Sequence, residues 1–107
     1  ARDAGYMARA SLLVHAMTAD PALLLEATAD RLHQQARRAM YPASLALVEA
    51  LRAESIPAMI SGAGPSVIVL GAAGDTAAVR RLAGASWLVR ACQVCATGAR
   101  EVPVERA

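Results

Sequence analysis

Near residue 56 the apolar residues of this chain change their spacing, and that change limits the fold more than any other feature. Before it, apolar residues recur every three or four positions, as on amphipathic helices. After it, short runs rich in β-branched residues alternate with one more helical stretch. A chain with helices first and short strands later reads as an α+β layer. The expected fold is one small, mainly antiparallel four-stranded sheet with helices packed on one face.

The helical half divides at its capping residues. A first helix is expected over roughly Ala4 to Met17, with Met7, Ala10, Val14 and Met17 forming an apolar stripe. Asp20-Pro21 starts a second helix, since Asp accepts hydrogen bonds from free N–H groups and Pro suits the first turn. That helix carries Leu24, Ala27, Arg31 and Leu32 and fades near Gln35. Pro42 opens a third, with Leu45, Val48, Leu51 and Arg52 at helical spacing, ended by Ser55-Ile56-Pro57.

Ala58-Met59-Ile60 and Ser66-Val67-Ile68-Val69-Leu70 read as strands around a Gly-rich loop. Gly71 to Gly74 is a turn, Asp75 caps a fourth helix with Val79 and Leu82 on one face, and Gly84 stops it. Trp87 to Val94 and Ala99 to Val104 are expected to be two antiparallel strands joined at Thr97-Gly98.

Length and composition bound the function. The 107 residues suit one domain, and 56% are apolar, enough for a core. Aromatics are only 3% and Phe is absent, so Ala, Leu and Val must fill that core. Eleven basic residues against 9 acidic ones give +2, without the concentrated basic face of a nucleic-acid module. The adjacent pairs Arg37-Arg38 and Arg80-Arg81 do not extend into runs. No apolar stretch approaches the roughly 18 residues that cross a bilayer, and Ser11–Val14 is too short for a signal-peptide core. With two cysteines, Cys92 and Cys95, the chain lacks the density of a disulfide scaffold, and a cytoplasmic protein is expected. The start at Ala1 hints at a fragment.

The most informative segment is Ser61-Gly62-Ala63-Gly64-Pro65-Ser66. Its glycines permit close approach to an anion, and successive N–H groups can form a phosphate-binding nest. It lacks the Gly-Lys-Ser/Thr ending of a Walker loop and the third glycine of a dinucleotide fingerprint. A plain strand-to-strand turn would use the same residues.

Followed by Val67-Ile68-Val69-Leu70, this loop resembles the third motif of the GHMP small-molecule kinases. Arg9-Ala10-Ser11-Leu12-Leu13-Val14-His15-Ala16-Met17-Thr18, Asp20 to Thr28, Asp30 to Gln34 and Pro42 to Val48 resemble the homoserine kinases of that superfamily. The similarity runs in one register from residue 1 to about 96. It implies the carboxy-terminal domain of a two-domain kinase that phosphorylates the hydroxyl of L-homoserine with ATP and Mg²⁺. It also implies that an amino-terminal domain, absent here with its P-x-x-x-G-L-G-S-S loop, binds most of the nucleotide and metal. Arg9 and Arg37 match the arginines that clamp the substrate carboxylate, and Ser61, Gly62, Ala63, Gly64 and Ser66 match the phosphate-facing loop. No catalytic or metal-binding residue is expected in this chain, and by itself it should be inactive. Tyr6-Met7 stands where the family usually has Asn, and Gln35-Ala36 where it has Pro-Tyr.

Other readings remain open at this point. An amino-acid-binding regulatory domain or a dimerisation domain is compatible with a small α+β layer, as are sibling kinases acting on mevalonate, galactose or shikimate. A homodimer is compatible too, whereas nucleic acid and membrane are not expected partners. His15 and His33 lack neighbours at metal-ligand spacing, Cys92 and Cys95 lack a second pair, and Glu26 with Asp30 reads as a polar helix face.

Overall fold

The computed structural model describes residues 2–29 and 40–104. Helix α1 spans Arg2–Thr18. A 3₁₀ turn over Pro21–Leu23 leads into the short α2, Leu24–Ala27. Helix α3 covers Pro42–Ala53, and strands β1 (Ala58–Ile60) and β2 (Val67–Val69) follow. A second 3₁₀ turn, Ala73–Asp75, precedes α4 (Thr76–Ala83), which ends in a third over Gly84–Ser86.

The two strands pair antiparallel, with Ala58 opposite Val69, Met59 opposite Ile68 and Ile60 opposite Val67. Side chains alternate as the pleat requires. Ala58 and Ile60 are buried, while Ile68 on the other face is exposed. Leu47, Val48 and Leu51 of α3 and Ala83 of α4 close over the inner face, together with Ile56 and the half-buried Val67, Val69, Val79, Leu82 and Trp87. Helices on one face of an antiparallel sheet make the fold α+β. Aliphatic side chains supply nearly all of this core, as the composition requires.

The end of α3 follows from its sequence. The Ile56 N–H donates to the Leu51 carbonyl at 3.0 Å and the Ser55 N–H to the Arg52 carbonyl at 2.9 Å. Ser55 itself has φ +60°. This is a Schellman cap, with Ile56 and Leu51 buried together as its hydrophobic contact. Pro57 then prevents the helix from resuming. At the start of the 3₁₀ turn over Pro21–Leu23, the Asp20 carboxylate accepts from the Ala22 N–H at 3.2 Å, as expected of a cap.

Three expectations are corrected. Met7, Val14 and Met17 are 68%, 66% and 56% exposed, so the expected stripe on α1 faces outward. The face turned inward carries Arg9, Leu12, Leu13 and Ala16, which packs on α2 and the turn before it. Apolar residues lie on both sides of α1, so spacing alone could not choose between them. Second, four strands are not shown among the described residues. Residues 88–104 carry no regular secondary structure, and Leu88 and Val94 are 81% and 94% exposed. A β-like pattern becomes a strand only with a partner ladder, and the sheet of the described residues has two strands. Third, the Asp75 carboxylate reaches back to the Ala72 N–H at 2.8 Å and does not cap α4 directly. Arg31, Leu32, His33, Gln35-Ala36 and Arg37 lie outside the described residues.

Candidate functional site

The Gly-rich loop connects the two strands, and their pairing sets its span. The Ser61 N–H donates to the Ser66 carbonyl at 2.8 Å, closing the mouth of the loop. Inside it, the Gly64 N–H turns back to the Ser61 carbonyl at 3.1 Å. Gly62 and Gly64 have φ +58° and +91°, the left-handed region that glycine enters at least cost, and the Gly64–Pro65 peptide is cis. Gly64 is required for a second reason. A Cβ there would lie 2.7 Å from Cδ2 and 3.0 Å from Cε2 of Tyr41.

Helix α3 anchors the other side of the loop. The Ser44 hydroxyl donates to the Pro65 carbonyl at 2.5 Å. Met40, Tyr41, Ser44, Pro65 and Trp87 line a cleft of about 360 Å³ beside the loop. Ser61, Gly62, Ala63 and Ser66 are exposed. Among the described residues, the Gly62 and Ala63 N–H groups donate to no protein acceptor. Two adjacent exposed N–H groups and two exposed hydroxyls suit an anion such as a phosphate oxygen. Because the Gly64 N–H is turned inward, the nest is narrower than the full Gly62-Ala63-Gly64 run expected from sequence.

Arg9 lies elsewhere, on the inner face of α1. Its Nη2 forms an ion pair with Glu26 Oε1 on α2 at 2.8 Å, with 16% of the Arg9 side chain and 59% of the Glu26 side chain exposed. The polar helix face expected at Glu26 is therefore partly a pairing surface. Beneath it sits a second arginine. Arg52 Nη1 donates to the Thr28 hydroxyl at 2.7 Å and to the Ala58 carbonyl at 3.2 Å, and its Nη2 donates to the Leu25 carbonyl. Thr28 is buried, and its own hydroxyl proton goes to the Leu24 carbonyl at 2.7 Å. Burial pulls the Arg52 guanidinium below its ordinary pKa, nearby Glu26 pushes it back up, and Arg9 pulls it down.

Arg52 and Thr28 escaped the site prediction, although Arg52 carried a signal. It shares the buried face of α3 with Leu45, Val48 and Leu51, and a guanidinium there needs acceptors. The structure joins Arg52 to β1 at Ala58, the strand that runs into the loop at Ser61.

The remaining candidates stay apart. His15 is exposed at the end of α1, and Cys92 and Cys95 are exposed in the irregular segment. The Cys95 thiol donates to the Thr97 carbonyl at 2.9 Å. Among the described residues, no three His, Cys, Asp or Glu side chains gather as metal ligands. No helix of the described residues is long and apolar enough to cross a membrane.

Residues 13–85 match the family model described as GHMP kinases C terminal. The chain is 51% identical to the homoserine kinase of Streptomyces avermitilis over 96 residues, covering 90% of this chain and 32% of that protein. It is 48% identical to the homoserine kinase of Streptomyces coelicolor over 99 residues, 92% of this chain and 32% of that one. The homoserine kinase of Cutibacterium acnes is 53% identical over 62 residues, 58% of this chain and 21% of that protein. The chain thus spans about a third of the length of the Streptomyces relatives. A domain that packs α3 and α4 on an antiparallel pair around this Gly-rich loop, and matches the family over most of its length, belongs to the GHMP kinases as their C-terminal domain.

Proposed function

We propose that this domain is the substrate-binding half of a homoserine kinase, which transfers the γ-phosphoryl group of ATP to the side-chain hydroxyl of L-homoserine. The similarity to the Streptomyces homoserine kinases over nine tenths of the chain carries this reading. The exposed anion-accepting loop supports it. The hydroxyl oxygen bonds to the γ-phosphorus as the bond to the β–γ bridging oxygen breaks, ADP departs and the hydroxyl proton is released. Catalysis of such a transfer is mainly positioning and charge stabilisation.

In this reading Arg9 and Arg37 hold the substrate carboxylate, for which a guanidinium fork is well shaped. The ion pair of Arg9 with the Glu26 carboxylate supports this reading, since the same guanidinium can pair with a substrate carboxylate. The Gly62 and Ala63 N–H groups and the Ser61 and Ser66 hydroxyls face the phosphates. Mg²⁺ supplies charge neutralisation on the phosphates when bound, through ligands from the remaining two thirds of the kinase. That remainder also supplies most nucleotide contacts. The enzyme works in threonine biosynthesis in the cytoplasm, as a monomer or homodimer.

The test is ADP release by the complete kinase with L-homoserine, mevalonate, galactose or shikimate as acceptor, before and after Arg9→Ala. Turnover with homoserine alone, with its KM raised by the substitution, is the expected result. Preference for another acceptor sinks the substrate assignment. A homoserine KM indifferent to Arg9→Ala sinks the clamp.

A further inference from the structure

We propose that Arg52 is a positioning residue for the carboxylate clamp, holding α2 so that Glu26 orients Arg9; this rests on the reading of Arg9 as a substrate ligand.

Three observations lead there. Arg52 binds three acceptors on two segments at once: the Leu25 carbonyl and Thr28 hydroxyl at the end of α2, and the Ala58 carbonyl at the start of β1. Helix α2 has four residues, far too few to be stable by itself, so its orientation depends on what it docks against. The segment it holds, Leu25 to Thr28, carries Glu26, whose Oε1 lies 2.8 Å from Arg9 Nη2.

The chemistry fits such a role. The carbonyls at a helix C-terminus lack intrahelical donors and carry partial negative charge, which a guanidinium satisfies. A planar fork with five donors on separate nitrogens reaches acceptors spread along both of its ends, whereas the three donors of an ammonium share one nitrogen. Removing it leaves the Leu25 carbonyl without this charge-assisted bond and frees α2 to shift. Glu26 then no longer holds Arg9 in one rotamer. A loosely held clamp binds the substrate less well but leaves nucleotide contacts elsewhere untouched.

The experiment uses the complete kinase with Arg52→Ala, Arg52→Lys, Thr28→Val, Arg9→Ala and the Arg9→Ala/Arg52→Ala pair. KM for homoserine, KM for ATP, kcat and Tm are measured for each. Arg52→Ala should raise the homoserine KM on the order of tenfold, as loss of a charge-assisted bond would, with the ATP KM unchanged. Arg52→Lys should recover part of the loss, and in the Arg9→Ala background Arg52→Ala should add nothing. Thr28→Val, which removes one acceptor and keeps the shape, should act in the same direction if Arg52→Ala fails to fold. A rise in both KM values, or an Arg52 effect that persists without Arg9, makes Arg52 merely structural and overturns the inference. So does a homoserine KM that responds to Arg9→Ala but to neither Arg52→Ala nor Thr28→Val. An unchanged homoserine KM in Arg9→Ala overturns the clamp itself, and this inference with it.

Discussion

Gly64→Ala should be among the most damaging single-methyl changes in the loop, and the structure says why. The added Cβ meets Tyr41 Cδ2 at 2.7 Å, Tyr41 Cε2 at 3.0 Å and Ile60 Cγ2 at 3.4 Å. The Tyr41 backbone is held by its carbonyl, which accepts from the Leu45 N–H at 3.1 Å in the first turn of α3, so relief of the clash has to come from rotation of the ring. Placing a non-glycine residue at φ +91° adds strain of about 1–2 kcal/mol. Overpacking against the ring adds ~1–3 kcal/mol. Together these reach roughly 2–5 kcal/mol, a large share of the ~5–15 kcal/mol that holds a domain folded. Gly62→Ala is the control, since Gly62 has φ +58° and nothing within 4 Å of its Cβ position. It should cost only the conformational part, about 1 kcal/mol. Urea denaturation at constant m-value measures both, and each kcal/mol moves Tm by about 4–8 °C. Tyr41→Ala should make the Gly64→Ala substitution cheaper, because the ring that it strikes is gone. Equal losses at Gly62 and Gly64, or a Gly64 loss indifferent to Tyr41→Ala, would refute the steric account.

Ser55 holds φ +60° in the cap of α3, so Ser55→Gly should raise stability by about 0.5–1 kcal/mol, read as a higher urea midpoint. Leu51 is fully buried against Ile56, and Leu51→Ala should cost ~2–5 kcal/mol in the same assay. The side-chain hydrogen bond with the Thr97 hydroxyl holds the Cys95 thiol below its ordinary pKa, so more of it is thiolate at a given pH. Iodoacetamide at neutral pH should therefore label Cys95 faster than Cys92, as counted by peptide mass spectrometry, and the order should reverse or vanish in Thr97→Ala. The chain by itself should show no kinase turnover in a coupled ADP assay.

What the amino-acid sequence determined here is local, or nearly so. The Pro42 start of α3, its stop at Ser55-Ile56-Pro57, the pairing of Ala58–Ile60 with Val67–Val69 and the Gly-rich loop between them all follow from caps, turns and periodicity. These depend on residues a few positions apart, and the resemblance around Arg9 and the loop was legible for the same reason. Tertiary structure decided the rest. Which side of α1 turns inward depends on its packing against α2 and the turn before it, a contact that no spacing within α1 encodes. Trp87 to Val104 has the composition of strands, yet backbone groups join a sheet only across a partner ladder, and these residues have none among those described. Arg52 is tied to the end of α2 through acceptors 24 and 27 residues away, at Thr28 and Leu25. An arginine on the core-facing side of a helix announces in the sequence that it needs partners, but only the fold supplies them.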